Sequence, residues 1–310
     1  MKPRWKGKAS EAKASADPMS KIVSQLHSSL IETRTCGLLS SCSVLVEVDA
    51  ELVDLLNRAC FGRPRITAQK DKQWFQLDME ETFYLCFSLK CLKVIGEDGS
   101  TKSNEELWEY FKSKKPVFPI SYKAYSHLRH KNWVVRLGLQ YGVDFVAYHH
   151  HPALVHSKYA VLALPEGDND LNGRLRVWSD VHCTVRLCGS VAKTLLIVIV
   201  NSNGLGSNSP SCLEHYTVEE RTITRWNPEQ SREDQRGLQN QTKEGRTVKK
   251  DFSFLFFSNG VLASDNAEPN RFVSPVLYKD PSLSLFFQGF HKIQQIIPRF
   301  FDHAAQRIKV

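Results

Sequence analysis

Leu195 to Val200 is an unbroken run of six branched aliphatic residues, and no apolar run in the chain is longer. A membrane-spanning helix needs about 18 such residues, so this one is too short to cross a bilayer and the right length for a buried strand. No membrane segment is expected. The run follows a helical stretch that Ser179 can cap, from Asp180 to about Val191, which places Lys193 at a helix-to-strand junction. Upstream, Trp133 to Leu139, Val143 to Tyr148 and Tyr159 to Leu164 read as strands, with Tyr141-Gly142 as the turn joining the first two; Thr217 to Trp226 reads as a last strand. One more helix is expected around Tyr122 to Lys131.

The preceding stretch has a different texture. Asp17 can cap a helix with Pro18 at its first position, and Met19, Ile22, Val23, Leu26 and Leu30 then recur at helical spacing. Leu45 to Val48 reads as a short strand. Leu52, Leu55, Leu56 and Cys60 suggest a second helix, stopping at Gly62 and Pro64. Asp78 with Glu81 and Ser103 with Glu106 form capping boxes before two further apolar patterns.

At 310 residues the chain is about twice a typical domain. Four regions are expected: a flexible basic tail at 1–16 too polar to bury anything, a mostly helical domain at 17–115, an α/β domain at 116–234, and an extension at 235–310. Ten of the 17 phenylalanines fall within residues 252 to 301, yet no Trp follows Trp226 and no Cys follows Cys212. That extension carries no readable motif. Hydrophobic residues at 42% and charged residues at 24% exclude a wholly disordered or coiled-coil chain. The N-terminus lacks the apolar core of a secretory signal, so the eight cysteines are expected as thiols in a reducing compartment. Basic residues exceed acidic ones by 41 to 33, which favours a polyanionic partner without specifying one.

The stretch from Gly142 to Leu164 carries the best candidate chemistry. A hairpin brings its strand ends together, so Tyr148 and His156 can face one substrate, with Lys193 beside the same ends. For RNA cleavage, tyrosine can take a proton from a ribose 2′-hydroxyl if a cation such as Lys193 lowers its pKa. Histidine can donate to the leaving 5′-oxygen, and lysine can stabilise charge at phosphorus. Composition and spacing alone favour ordinary structural roles for all three.

The segments YGVDFVAY at 141–148, PALVHSKY at 152–159, RLCGSVAK at 186–193 and ERTITRW at 220–226 resemble the catalytic subunits of the tRNA-splicing endonuclease (the tRNA-intron endonuclease family). The match is to the larger subunit assigned to the 5′ splice site, in its plant versions. The resemblance spans about residues 17 to 234 and is looser over the first domain. It implies an α/β fold: a small, mostly helical α/β N-terminal domain followed by a restriction-endonuclease-like mixed-sheet C-terminal domain. It implies Tyr148, His156 and Lys193 as a catalytic triad for metal-independent cleavage, with no cofactor, leaving a 2′,3′-cyclic phosphate and a 5′-hydroxyl. Arg186 and Trp226 match an RNA-binding pair that grips a flipped base at the partner subunit's site; seven residues separate Arg186 from Lys193, two helical turns that would share a face. The implied partners are intron-containing precursor tRNA, a homologous second catalytic subunit and two structural subunits, in the nucleus. A non-catalytic structural or RNA-binding subunit of that complex is the alternative, against which the filled triad positions argue.

Other patterns are weaker. His149, His150 and His151 alternate in direction on an extended segment and read as a solvated loop rather than a metal site. Asp144 alone is insufficient for a metal-dependent nuclease. Cys183 and Cys188 read as buried thiols. The Gly/Asn-rich loop at 201–208 lacks a P-loop Lys-Ser/Thr and reads as a flexible connection.

Overall fold

The apolar runs do become strands. The computed structural model describes residues 3–65, 73–167, 175 and 177–224; Trp226 and the extension at 235–310 lie outside them. Described residues up to Glu166 and from Cys183 to Thr224 belong to one compact unit.

In chain order the first half contains α1 (Ser10–Ala16), α2 (Met19–Glu32), β1 (Cys36–Ser40), β2 (Ser43–Val48), α3 (Ala50–Ala59), β3 (Arg63–Arg65), β4 (Gln73–Asp78), α4 (Met79–Phe83), β5 (Lys93–Ile95), β6 (Thr101–Lys102) and α5 (Asn104–Lys114). The second half contains α6 (Phe118–His130), β7 (Val134–Leu137), β8 (Phe145–Tyr148), β9 (Tyr159–Pro165), α7 (Trp178–Ser190), β10 (Thr194–Asn201), α8 (Cys212–His215) and β11 (Thr217–Ile223). None of the helices among the described residues is long and apolar enough to cross a membrane.

The helices follow their sequence signals with informative departures. On α2, Met19, Ile22, Leu26 and Leu30 are the buried stripe. Pro18, not Asp17, stands at its N-cap, because the Asp17 carboxylate is taken by Arg58 at 2.6 Å. In α3, Asp49 accepts from the Leu52 N–H at 2.8 Å, and the helix ends at Cys60 in the left-handed region, φ 57°. The Ser103–Glu106 capping box starts α5. The Asp78–Glu81 box starts α4, which after Phe83 widens into a π-helical turn over Tyr84–Ser88.

The first half is also richer in strand than its sequence suggests. Its sheet has six strands in the order β3-β4-β2-β1-β5-β6, although only β2 carries an apolar run strong enough to stand out. The second sheet runs β11-β10-β9-β8-β7 and is mixed: β9 and β10 are parallel, linked through α7, and all other neighbours are antiparallel. The two sheets share one core. Phe83, Trp108, Phe111, Phe118 and Tyr122 lie within it alongside Phe145, Val161, Leu196 and Val198. The end of α3 is held from the second half, where buried Arg129 donates to the carbonyls of Ala59 at 3.3 Å and Cys60 at 2.9 Å, and Arg136 to that of Gly62 at 2.7 Å. Cations at orphan helix-end carbonyls are favourable both as hydrogen bonds and toward the helix dipole.

Three expectations give way. Residues 3–16 do bury surface: Ala14 on α1 is buried, and Trp5 forms an antiparallel bridge with Val155. The loop after β10 is tied down, since the Trp108 indole and the Lys112 ammonium both donate to the Ser207 carbonyl at 2.8 Å. All eight cysteines are free, but Cys183 is exposed and only Cys188 of that pair is buried, because α7 turns them to different faces.

Candidate active site

One edge of the second sheet collects three strand ends. Because β8 runs antiparallel to β9 and β9 parallel to β10, the C-terminal end of β8 lies beside the N-terminal ends of the other two. Tyr148 closes β8, His156 precedes β9 by three residues, and Lys193 immediately precedes β10. Main-chain bonds lock the alignment: Lys158 N–H donates to Ala147 O at 2.9 Å, and Thr194 N–H to Lys158 O at 3.0 Å. The sheet register therefore brings the three predicted residues to a common edge from positions up to 45 residues apart in sequence.

Lys193 reaches that edge by a turn rather than by a helix face. Helix α7 stops at Ser190, Ala192 adopts φ 51°, and the Lys193 N–H returns to Cys188 O at 2.9 Å. The two-turn spacing from Arg186 consequently does not put both on one face. Arg186 is exposed on α7, and Trp226, its expected partner, lies outside the described residues. The Lys193 ammonium sits 4.1 Å from the centre of the Tyr141 ring. Gly142, at φ 65°, takes the left-handed conformation that ends the short helical turn carrying Tyr141.

The electrostatics differ from the expected scheme. Burial pushes the half-buried Tyr148 phenol above its ordinary range and Tyr141 adds to the rise, while a hydrogen bond from Ser157 and the charge of Arg136 oppose it. Arg136 is thus a cation that favours the Tyr148 phenolate, and the Lys193 ammonium lies over the Tyr141 ring. His156 is exposed, and its imidazole is held below the usual histidine range by desolvation and by the charges of Arg4, Lys6 and Lys193. Tyr141, Ser157, Arg136, Arg4 and Lys6 were all missed as neighbours by local pattern reading. Only Tyr141 carried a usable signal, as an aromatic directly before the turn glycine.

The histidine run is not a solvated loop. His150 is buried, its Nε2 2.9 Å from the Asp17 carbonyl oxygen; the His149 ring packs 4.2 Å, centre to centre, from that of Trp133. His151 accepts from the Ala153 N–H at 3.0 Å, so the three side chains serve different neighbours and do not converge. Among the described residues no group of three or more His, Cys, Asp and Glu side chains is placed to hold a metal ion. Asp144 lies at the opposite end of β8, about 13 Å along the strand from Tyr148, and accepts from the Ala163 N–H at 2.9 Å.

Comparison with known proteins identifies both domains. Residues 118–205 match the tRNA intron endonuclease catalytic C-terminal domain, and residues 36–108 match its N-terminal domain. The chain is 58% identical over 237 residues to the tRNA-splicing endonuclease subunits Sen2-2 and Sen2-1 of Arabidopsis thaliana, covering 76% of this chain and 93% and 99% of those proteins. It is 52% identical over 240 residues to a probable subunit Sen2 of Oryza sativa subsp. japonica, covering 74% of this chain and 82% of that one. Fold, edge and matches together define an endonuclease that carries a catalytic domain. The chain belongs to the tRNA intron endonuclease family.

Proposed function

We propose that this chain makes the 5′ cut in intron-containing precursor tRNA, using Tyr148, His156 and Lys193. Tyr148 takes the proton of the ribose 2′-hydroxyl at the exon end, and the 2′-oxygen attacks the adjacent phosphorus. The bond from phosphorus to the 5′-oxygen breaks as His156 donates a proton to that oxygen, leaving a 2′,3′-cyclic phosphate and a 5′-hydroxyl. Lys193 stabilises the charge gathering on the phosphoryl oxygens. The observation that carries this reading is the convergence of the three strand ends on one edge.

The neutral forms of both Tyr148 and His156 are favoured in the free chain. Catalysis then runs through a minor population with tyrosinate and imidazolium together. Its size is constant between the two pKa values, so the rate of the 5′ cut is flat there and falls on either side.

The relatives are endonuclease subunits, which supports action within a larger assembly; we propose that this assembly adds a homologous second catalytic subunit and two structural subunits, and that it works in the nucleus. Arg186 and Trp226 act across the assembly on a base held over the second subunit's site. Reconstituted complex with intron-containing precursor tRNA tests the whole reading: analysis of the 5′-exon end should find a cyclic phosphate, and EDTA should leave the cut intact. A 3′-hydroxyl end, or a cut abolished by EDTA and restored by a divalent cation, would overturn it.

A further inference from the structure

The segment Arg4–Lys6 runs antiparallel to the loop that carries His156. The His156 N–H donates to Arg4 O at 3.0 Å, the Lys6 N–H donates to Leu154 O at 2.9 Å, and Trp5 pairs with the fully buried Val155 between them. This register sets Arg4 directly across from His156. Alternation along an extended segment then separates half-buried Trp5 from its neighbours, and Arg4, Lys6 and His156 are all exposed. Among the described residues no carboxylate forms an ion pair with Arg4, Lys6 or Lys193. Elsewhere Arg58, Lys102, Lys112 and Lys115 each have one. Three cations left without acidic partners around one exposed histidine make a site for an anion with several charges.

We propose that residues 4–6 are a working part of the cleavage site: their main chain positions the His156 loop, and the Arg4 and Lys6 side chains bind phosphates of the RNA strand beside the scissile bond. This rests on the reading of His156 as the proton donor. The two functions are separable, because alanine at positions 4 and 6 removes charge and keeps the main-chain bonds, whereas proline at position 6 removes the N–H that holds Leu154.

The test uses the full chain in reconstituted complex with precursor tRNA. Binding is titrated over a range of salt in a His156→Ala background with the second catalytic subunit also inactivated, so that neither cut enters. Arg4→Ala with Lys6→Ala should flatten the slope of log affinity against log salt by about 1.4, the contribution of two phosphate contacts to a single strand. With His156 present, the same double variant should raise KM and leave kcat for the 5′ cut within about twofold. Lys6→Pro should lower kcat for the 5′ cut by about 10- to 100-fold relative to Lys6→Ala and spare the 3′ cut, since it displaces the proton donor. An unchanged salt slope would overturn the phosphate contacts, and equal kcat for the two position-6 variants would overturn the positioning role. A normal 5′ cut by His156→Ala alone would bring down the underlying reading, and it is told apart because the salt slope is read from binding.

Discussion

Two clusters of charge in this chain use similar residue types and are treated in opposite ways. At the junction of the two sheets the buried charges among the described residues, Glu80, Glu81 and Arg129, are each answered. Glu81 accepts from the N–H groups of Gly62 and Asp78, both at 3.1 Å, and lies 3.5 Å from Arg136; Glu80 accepts from Lys115 and Ser121 at 2.6 Å; Arg129 bonds Tyr125 and two carbonyls and stacks on Phe61. At the sheet edge, Arg4, Lys6 and Lys193 lie near His156 with no acidic partner among the described residues. Burial explains the first pattern, because an unanswered charge there would be expensive to desolvate. Exposure permits the second, where the cost of an unpaired cation is small and the unmatched charge remains available to an anionic ligand. Matched charge holds the halves together, and unmatched charge marks the site.

Substitution at the edge should therefore remove chemistry without touching stability, and His156→Ala is the extreme case. It should slow the 5′ cut by about 10²–10⁴-fold with thermal unfolding and precursor binding unchanged, as read by single-turnover cleavage beside a melt. At the junction the reverse should hold. Arg129→Met orphans two carbonyls and should cost about 3–5 kcal/mol in urea unfolding while leaving cleavage per folded molecule intact. Tyr148→Phe deletes one hydroxyl and should lower the 5′ rate by about 10²-fold or more, again without a change in melting.

The pH dependence sharpens the contrast further. Burial and the neighbouring Asp78 push Glu81 up to about 7, so the fold prefers its neutral form. A group whose pKa rises on folding stabilises fully below its unfolded value, about 4.3, and that contribution fades as pH climbs through about 7. Unfolding free energy measured from pH 4.5 to 8 should carry this decline, and Glu81→Gln should flatten it. At the edge, removing the Arg4 and Lys6 charges lets the His156 pKa rise, so the acid-side fall of the 5′ rate should begin at higher pH in that double variant.

What the sequence disclosed follows the same division between local and distant causes. Strands β8, β9 and β10 were legible because each is an apolar run bounded by turn residues; Tyr148, His156 and Lys193 sit at the ends of those runs, a position that ordinary residues also occupy, and it was the family resemblance that singled them out. Strands β3, β5 and β6 are two or three residues long and acquire their pairing only from neighbours in the sheet. Arg4 and Lys6 looked like a polar tail because their hydrogen-bond partners lie about 150 residues away, where no local pattern can announce them. The His149–His151 run misled for a related reason: His150 is buried through its contact with Asp17, far off in sequence.

The central claim, that this edge performs one particular cut, is tested most directly by scoring both cuts on a single precursor tRNA. Complexes carrying Tyr148→Phe, His156→Ala or Lys193→Ala in this chain should lose the 5′ cut and keep the 3′ cut, accumulating an intron still joined to the 5′ exon. Loss of the 3′ cut with the 5′ cut retained, or full retention of both, would contradict the account.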